Sequence, residues 1–143
     1  MQPTAELPTL DVVAAVLHDG AGRVLVAQRP NGKAQAGEWE FPGGKQHPGE
    51  SEFDCLAREL REELGVAVSR AHCAPLLTLE HRYPDRHVRL RVWTVGHCTG
   101  EPQGREGQAL RWLAPAELHT VPLLAADGPI VKCLLAAAGR PVE

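Results

Sequence analysis

Residues 40–66, EFPGGKQHPGESEFDCLARELREELGV, hold two adjacent glycines, a polar loop and then a helix crowded with acids. Ser51 is a suitable N-cap, with Asp54 three residues on as a weaker capping-box partner. Phe53, Leu56, Ala57, Leu60 and Leu64 recur at helical spacing and define a buried stripe. Gly65 is a natural C-cap. At about 100° per residue, Glu59, Glu62 and Glu63 fall together beside that stripe rather than in it. Like charges at this spacing destabilise a helix, so a bare acidic cluster needs a reason. Arg58 and Arg61 lie mainly on another side of the wheel. One reading is a solvated acidic face. The other is that three carboxylates converge in front of the helix, with a backbone carbonyl of the glycine pair beside them. Such oxygen donors suit a hard cation, Mg²⁺ or Mn²⁺, and Mg²⁺ usually brings phosphate with it.

Upstream, TLDVVAAVLHD from Thr9 reads as a strand, GAG at residues 20–22 as a turn, and RVLVAQR from Arg23 as its hairpin partner. PNGKAQAG is a loop, EWEF a short extended piece, and PGGKQHPGE a second loop. Downstream, APLLTLEHRY and VRLRVWTVGHC read as long strands around the turn YPDRH, and QALRWLAP as a further strand. PAEL suggests a helical turn, and Asp127 is positioned to cap a last helix, PIVKCLLAAAG. Strands on both sides of a central helix, with a second helix at the end, predict an α/β fold: a mixed sheet covered on both faces.

The 143 residues carry 43% hydrophobic and 23% charged residues, which fits one globular domain over 1–143. A net charge of −3 argues against a nucleic-acid polymer as partner. Cys55, Cys73, Cys98 and Cys133 are scattered without C-x-x-C spacing, so neither disulfides nor a zinc site is expected. Free thiols suit a reducing cytoplasm. The opening residues MQPTAELPTLDVV lack a basic region followed by an apolar stretch, so no secretion signal is expected. No apolar run is long enough to cross a membrane. The seven histidines show no metal-ligand spacing, and composition says nothing of oligomeric state.

Gly44, Glu50, Arg58-Glu59-Leu60, Glu62-Glu63 and Gly65-Val66 match the Nudix box at every defined position. Its seven Gly, Glu and Arg positions match by chance on the order of 10⁻⁹ to 10⁻⁸ per starting point. WEFPGGK, YPDRHVRLRVW, GEPQGREGQALRW and LLAADGPIV resemble, in order, blocks of the MutT-type pyrophosphohydrolases. The resemblance implies the Nudix α/β/α sandwich and Mg²⁺-dependent hydrolysis, with Mn²⁺ able to substitute. The expected reaction splits an oxidised or modified nucleoside triphosphate into monophosphate and pyrophosphate, as in 8-oxo-dGTP diphosphatases. It further implies that the Gly43 carbonyl, Glu59, Glu62, Glu63 and Glu106 hold the ions. One of Glu62, Glu63 and Glu106 would be the general base, with Glu106 on a loop, GREGQ, able to close over substrate. Glu50 and Arg58 would pair and brace the loop against the helix, and Lys45 would face the phosphates.

For base recognition the resemblance points to Phe41, Arg86 and Asp127. Each has a plainer reading: core for Phe41, an exposed turn for Arg86, a helix cap for Asp127. Two departures matter. MutT-type selectors of 8-oxoguanine usually carry Asn where this chain has Asp127, and ionised Asp can only accept hydrogen bonds. A related branch acting on CTP and modified dCTP tends to carry Asp there. Gln28 stands where MutT has a phosphate-contacting Arg. Both departures raise the alternative of a CTP or modified-dCTP pyrophosphohydrolase. A nucleotide-sensing module without turnover, or an enzyme for another diphosphate, remain the rival classes.

Overall fold

A computed structural model describes residues 7–138. The ends of the domain expected over 1–143, and the expected last helical residue Gly139, lie outside them. The strands are β1 (Thr9–Leu17), β2 (Val24–Gln28), β3 (Trp39–Glu40), β4 (Gly43–Lys45), β5 (Ala67–Val68), β6 (Cys73–Arg82), β7 (His87–Val95), β8 (Cys98–Thr99) and β9 (Leu110–Leu113). Two α-helices, α1 (Glu52–Leu64) and α2 (Gly128–Ala138), complete the sandwich, with 3₁₀ turns at Arg70–His72, Pro115–Thr120 and Ala125–Asp127.

The mixed sheet runs β4-β1-β7-β6, with β1 and β7 parallel and the outer pairs antiparallel. A separate antiparallel sheet runs β3-β2-β9. β2 is therefore not the hairpin partner of β1. The two touch through one bridge, His18 with Val24, before β2 crosses to the second sheet. The reason lies in burial: Val24, Leu25, Val26 and Ala27 are all covered. Leu25 packs under α1 while Val24 and Val26 face the other core. A strand buried on both faces cannot sit at the rim of a two-stranded ribbon.

Residues 43–45 also depart from expectation, forming β4 rather than loop. Gly43, Gly44 and Lys45 pair with Ala14, Val13 and Val12. The glycines are required by closeness: a Cβ on Gly43 would collide with the Val13 carbonyl oxygen.

α1 forms as its sequence dictates. The Ser51 hydroxyl oxygen accepts from the Asp54 N–H at 3.0 Å, and Gly65 closes the helix with φ +72°, donating its N–H to Arg61 O at 3.0 Å. Cys55, Leu56, Leu60 and Leu64 are buried against Val13, Ala15 and Leu17 of β1 and Trp93 and Val95 of β7. The opposite face of the strands packs Ala14, Val16, Val92 and Trp39 against Leu118, Ile130 and Leu134, the last two on α2. Trp39 thus belongs to this core. Trp93 is also core, donating its indole N–H to Glu52 Oε1 at 3.0 Å. All four cysteines are free thiols. Among the described residues no helix is long and apolar enough to cross a membrane.

Candidate active site

The glycine strand β4, the acidic face of α1 and the loop before β9 meet at one end of a cleft of about 540 Å³. Gly43, Gly44, Lys45, Glu59, Glu62, Glu63 and Glu106 line that end; Phe41, Tyr83, Arg86 and Asp127 line the rest. Every residue expected to touch ions or substrate therefore borders a single cleft. Glu50 and Arg58, expected to brace, stand behind it.

Arg58 organises this end. Its guanidinium donates from Nε to Glu50 Oε2 at 2.7 Å and from Nη2 to Glu50 Oε1 at 2.9 Å, the bidentate geometry that suits Arg. Nη2 also donates to the Lys45 carbonyl at 3.0 Å, and Nη1 to Glu59 Oε1 at 2.8 Å. The helical wheel put Arg58 on another side of α1. Its long side chain instead reaches back to the glycine strand and to Glu59. The Arg58 bonds, with the His47 N–H, hold the Glu50 carboxyl down at about 2, while Arg58 itself is held above its usual value by Glu50. Glu59 is pressed against the strand: a Cβ on Gly44 would overlap its carboxylate.

Glu63 is the electrostatic centre. Burial, then the neighbouring carboxylates of Glu59, Glu106 and Glu40, push its pKa up to about 8, partly offset by the Gly43 N–H. Arg58 pairs with Glu59 and Arg29 with Glu40, but Glu63 and Glu106 have no such partner among the described residues, and the cluster offers hard oxygens and a net negative field that fit a divalent cation. The acids do not, however, preassemble a ligand shell. Among the described residues no three His, Cys, Asp or Glu side chains are grouped to hold an ion. Arg58 draws Glu59 aside and lies 3.4 Å from Glu62, whose side chain is 57% exposed. Convergence in front of the helix thus requires side-chain rotation that helix spacing alone does not supply.

In the same cleft, Asp127 is 5% exposed and accepts from the Phe41 N–H at 3.2 Å. That bond ties it to the backbone between β3 and β4 rather than to the N-terminus of α2. Burial raises its pKa to about 7, with the Phe41 N–H opposing. Phe41 is itself 3% exposed, so it is core and cleft wall at once. Arg86 lies over the Tyr83 ring at 4.5 Å and within 3.3 Å of Asp85.

Sequence reasoning missed several wall residues. Arg29 and Lys33 line the cleft. Arg29 donates from Nη1 to both Glu40 carboxylate oxygens, at 3.1 and 3.0 Å, and from Nε to Ala34 O at 2.7 Å. Gln28, beside it, turns away and donates to Gly37 O at 3.1 Å. On this stretch of the wall the cation next to Gln28 is Arg29. Side-chain alternation in β2 was the available signal, since adjacent strand residues face opposite ways. The GREGQ loop is tied to the end of α1 here: Arg105 within it donates its N–H to Glu63 O at 3.0 Å, and Gln103 just before it to Leu64 O at 2.9 Å.

A model of the NUDIX domain matches residues 12–133. The CTP pyrophosphohydrolase of Escherichia coli K12 is 39% identical over 135 residues, 94% of this chain and 98% of its own. The 8-oxo-dGTP diphosphatase of the same organism is 31% identical over 125 residues, 87% of this chain and 95% of its own. The solution structure of the E. coli ORF135 protein superposes with a TM-score of 0.82 at 37% identity, covering 99% of this chain and 100% of that one. With a cleft built from the box residues and similarity running nearly end to end, the chain belongs to the Nudix hydrolase family.

Proposed function

We propose that this chain is a nucleoside triphosphate pyrophosphohydrolase that releases a nucleoside monophosphate and pyrophosphate. The observation that carries the reading is the cleft itself. The same cleft holds a crowded set of carboxylates, suited to a cationic polyphosphate complex, and a buried carboxyl, Asp127, suited to a base. Nudix hydrolases generally use a divalent metal; here Mg²⁺ is the proposed ion, with Mn²⁺ as substitute. The Gly43 carbonyl, Glu59, Glu62, Glu63 and Glu106 would hold it. When bound, the ion neutralises phosphate charge and acidifies the attacking water. Water oxygen bonds to the β-phosphorus as the bond from that phosphorus to the α–β bridging oxygen breaks. One of Glu62, Glu63 and Glu106 accepts the water's proton. Lys45 would meet the phosphates, and Arg58 with Glu50 would keep β4 and α1 in register.

For the base, Phe41 and Arg86 would flank it and Asp127 would read its edge. An ionised Asp127 accepts from the exocyclic amine of a cytosine or from the N1–H and amine of an oxidised guanine. The Asp, and the 39% identity to a CTP pyrophosphohydrolase, favour the cytosine class; 8-oxo-dGTP is the second reading. Comparing kcat/KM across CTP, dCTP, 5-substituted dCTP, dGTP and 8-oxo-dGTP tests this. The expected order puts a cytosine nucleotide first. Preference for 8-oxo-dGTP would reverse the base assignment, and release of neither phosphate nor pyrophosphate from any of them would point to a sensor.

A further inference from the structure

Through its side chain Gln108 joins the loop that carries Glu106 to the end of α1. Its Oε1 accepts from the Glu106 N–H at 2.8 Å, and its Nε2 donates to the Glu63 carbonyl at 3.1 Å. Glu63 lies in the last turn of α1, whose carbonyls have no helical partner. The Glu63 carbonyl also accepts from the Arg105 N–H at 3.0 Å, so the Gln108 amide adds a second, side-chain tie between the end of the helix and the backbone that carries the outlying acid. The turn between them is tight: Gly107 has φ +79°, Gly107 N–H donates to Gly104 O at 3.0 Å, and a Cβ on Gly104 would strike the Gln108 carbonyl. Gln108 also borders a small cavity of about 30 Å³ with Glu40, Glu63 and Glu106.

We propose that Gln108 is a positioning residue that sets where Glu106 stands relative to Glu59, Glu62 and Glu63, and so governs cation affinity. This rests on the reading of those acids as cation ligands. Glu106 is exposed and its side chain makes no hydrogen bond or ion pair among the described residues, so the backbone under it is the available handle. Only a side chain with both an acceptor and a donor at this length spans the two contacts.

The test is Mn²⁺ binding followed by electron paramagnetic resonance on the whole chain. Gln108→Met keeps length and loses both bonds; Mn²⁺ binding should weaken by ~10-fold, the scale expected for a residue that orients a ligand. Gln108→Asn, one methylene shorter, should do the same and serves if the Met variant does not fold. Turnover should fall through kcat, with KM for the nucleotide within about twofold. In a Glu106→Gln background, Gln108→Met should change Mn²⁺ affinity by less than about twofold, because the residue acts through Glu106. Lowered melting temperature with wild-type Mn²⁺ affinity, or fully additive losses, would overturn the inference and leave a merely structural bridge. A wild-type chain that binds no Mn²⁺ would overturn the cation reading itself.

Discussion

Glu62 and Glu63 are neighbours with opposite environments. Glu62 is largely solvated and loosely held by Arg58, so little folding energy depends on it. Glu62→Gln should lower kcat by about 10³-fold or more, a ligand-scale loss, with an unchanged melting temperature. Steady-state kinetics beside a thermal melt reads both. Near-native turnover in Mg²⁺ would refute its assignment to the ion. Asp127 offers a different test, because its proton is bound more tightly in the folded chain than in the unfolded one. The folded state then holds the extra proton between about pH 4 and about pH 7. Stability from this group is complete below that window and is lost as pH rises through it. Asp127→Asn can still accept from the Phe41 N–H, so its melting temperature should vary less over the same window. The same variant should shift the kcat/KM ratio toward 8-oxo-dGTP, since Asn both donates and accepts.

At the scale of elements, the box is a joint between β4 and α1. Gly44→Ala would drive a methyl into the Glu59 carboxylate. Expected is a loss of cation affinity with modest destabilisation, read by Mn²⁺ titration and a denaturant melt. Gly65→Ala would strain a φ of +72° and press on the Arg105 guanidinium, costing about 1 kcal/mol or more. α1 was legible from sequence because cap, stripe and stop all lie within it. β4 was not: Gly-Gly-Lys has no strand propensity, and its pairing to Val12–Ala14 is purely tertiary. The reach of Arg58 escaped for a related reason, since a wheel gives the direction of a Cβ and not where a long side chain ends. Lys33 and Tyr83 were missed because turns and short loops carry no period to follow, whereas Arg29 could have been found from the alternation of the strand it follows.

For the whole molecule, α1 and α2 cover opposite faces of the strands, and the cleft opens where the two sheets and the connecting loops meet. A ligand that binds only this assembled state stabilises it by mass action, ~2.7 kcal/mol at a hundredfold excess over its Kd. Mg²⁺ should therefore raise the melting temperature, and more at pH 8 than at pH 5. Ion and proton compete for Glu63, whose pKa lies near 8. Scanning calorimetry with and without EDTA checks it; equal shifts at both pH values would detach the ion from Glu63. The two-faced sandwich was readable in outline from the order of apolar segments. Which strands pair was not, because β1 and β7 belong together through register across most of the chain.

That parallel register has a consequence for biosynthesis. Thr9 lies opposite His87 and Leu17 opposite Val95, some 80 positions later. A nascent chain emerging from the ribosome at roughly 5–20 residues per second must wait several seconds before β1 meets this neighbour. The acidic helix is translated in the interval, with its apolar side uncovered by Trp93 and Val95. Catalytic competence is thus a late event in the life of each polypeptide, and chaperone dependence would be felt in that gap.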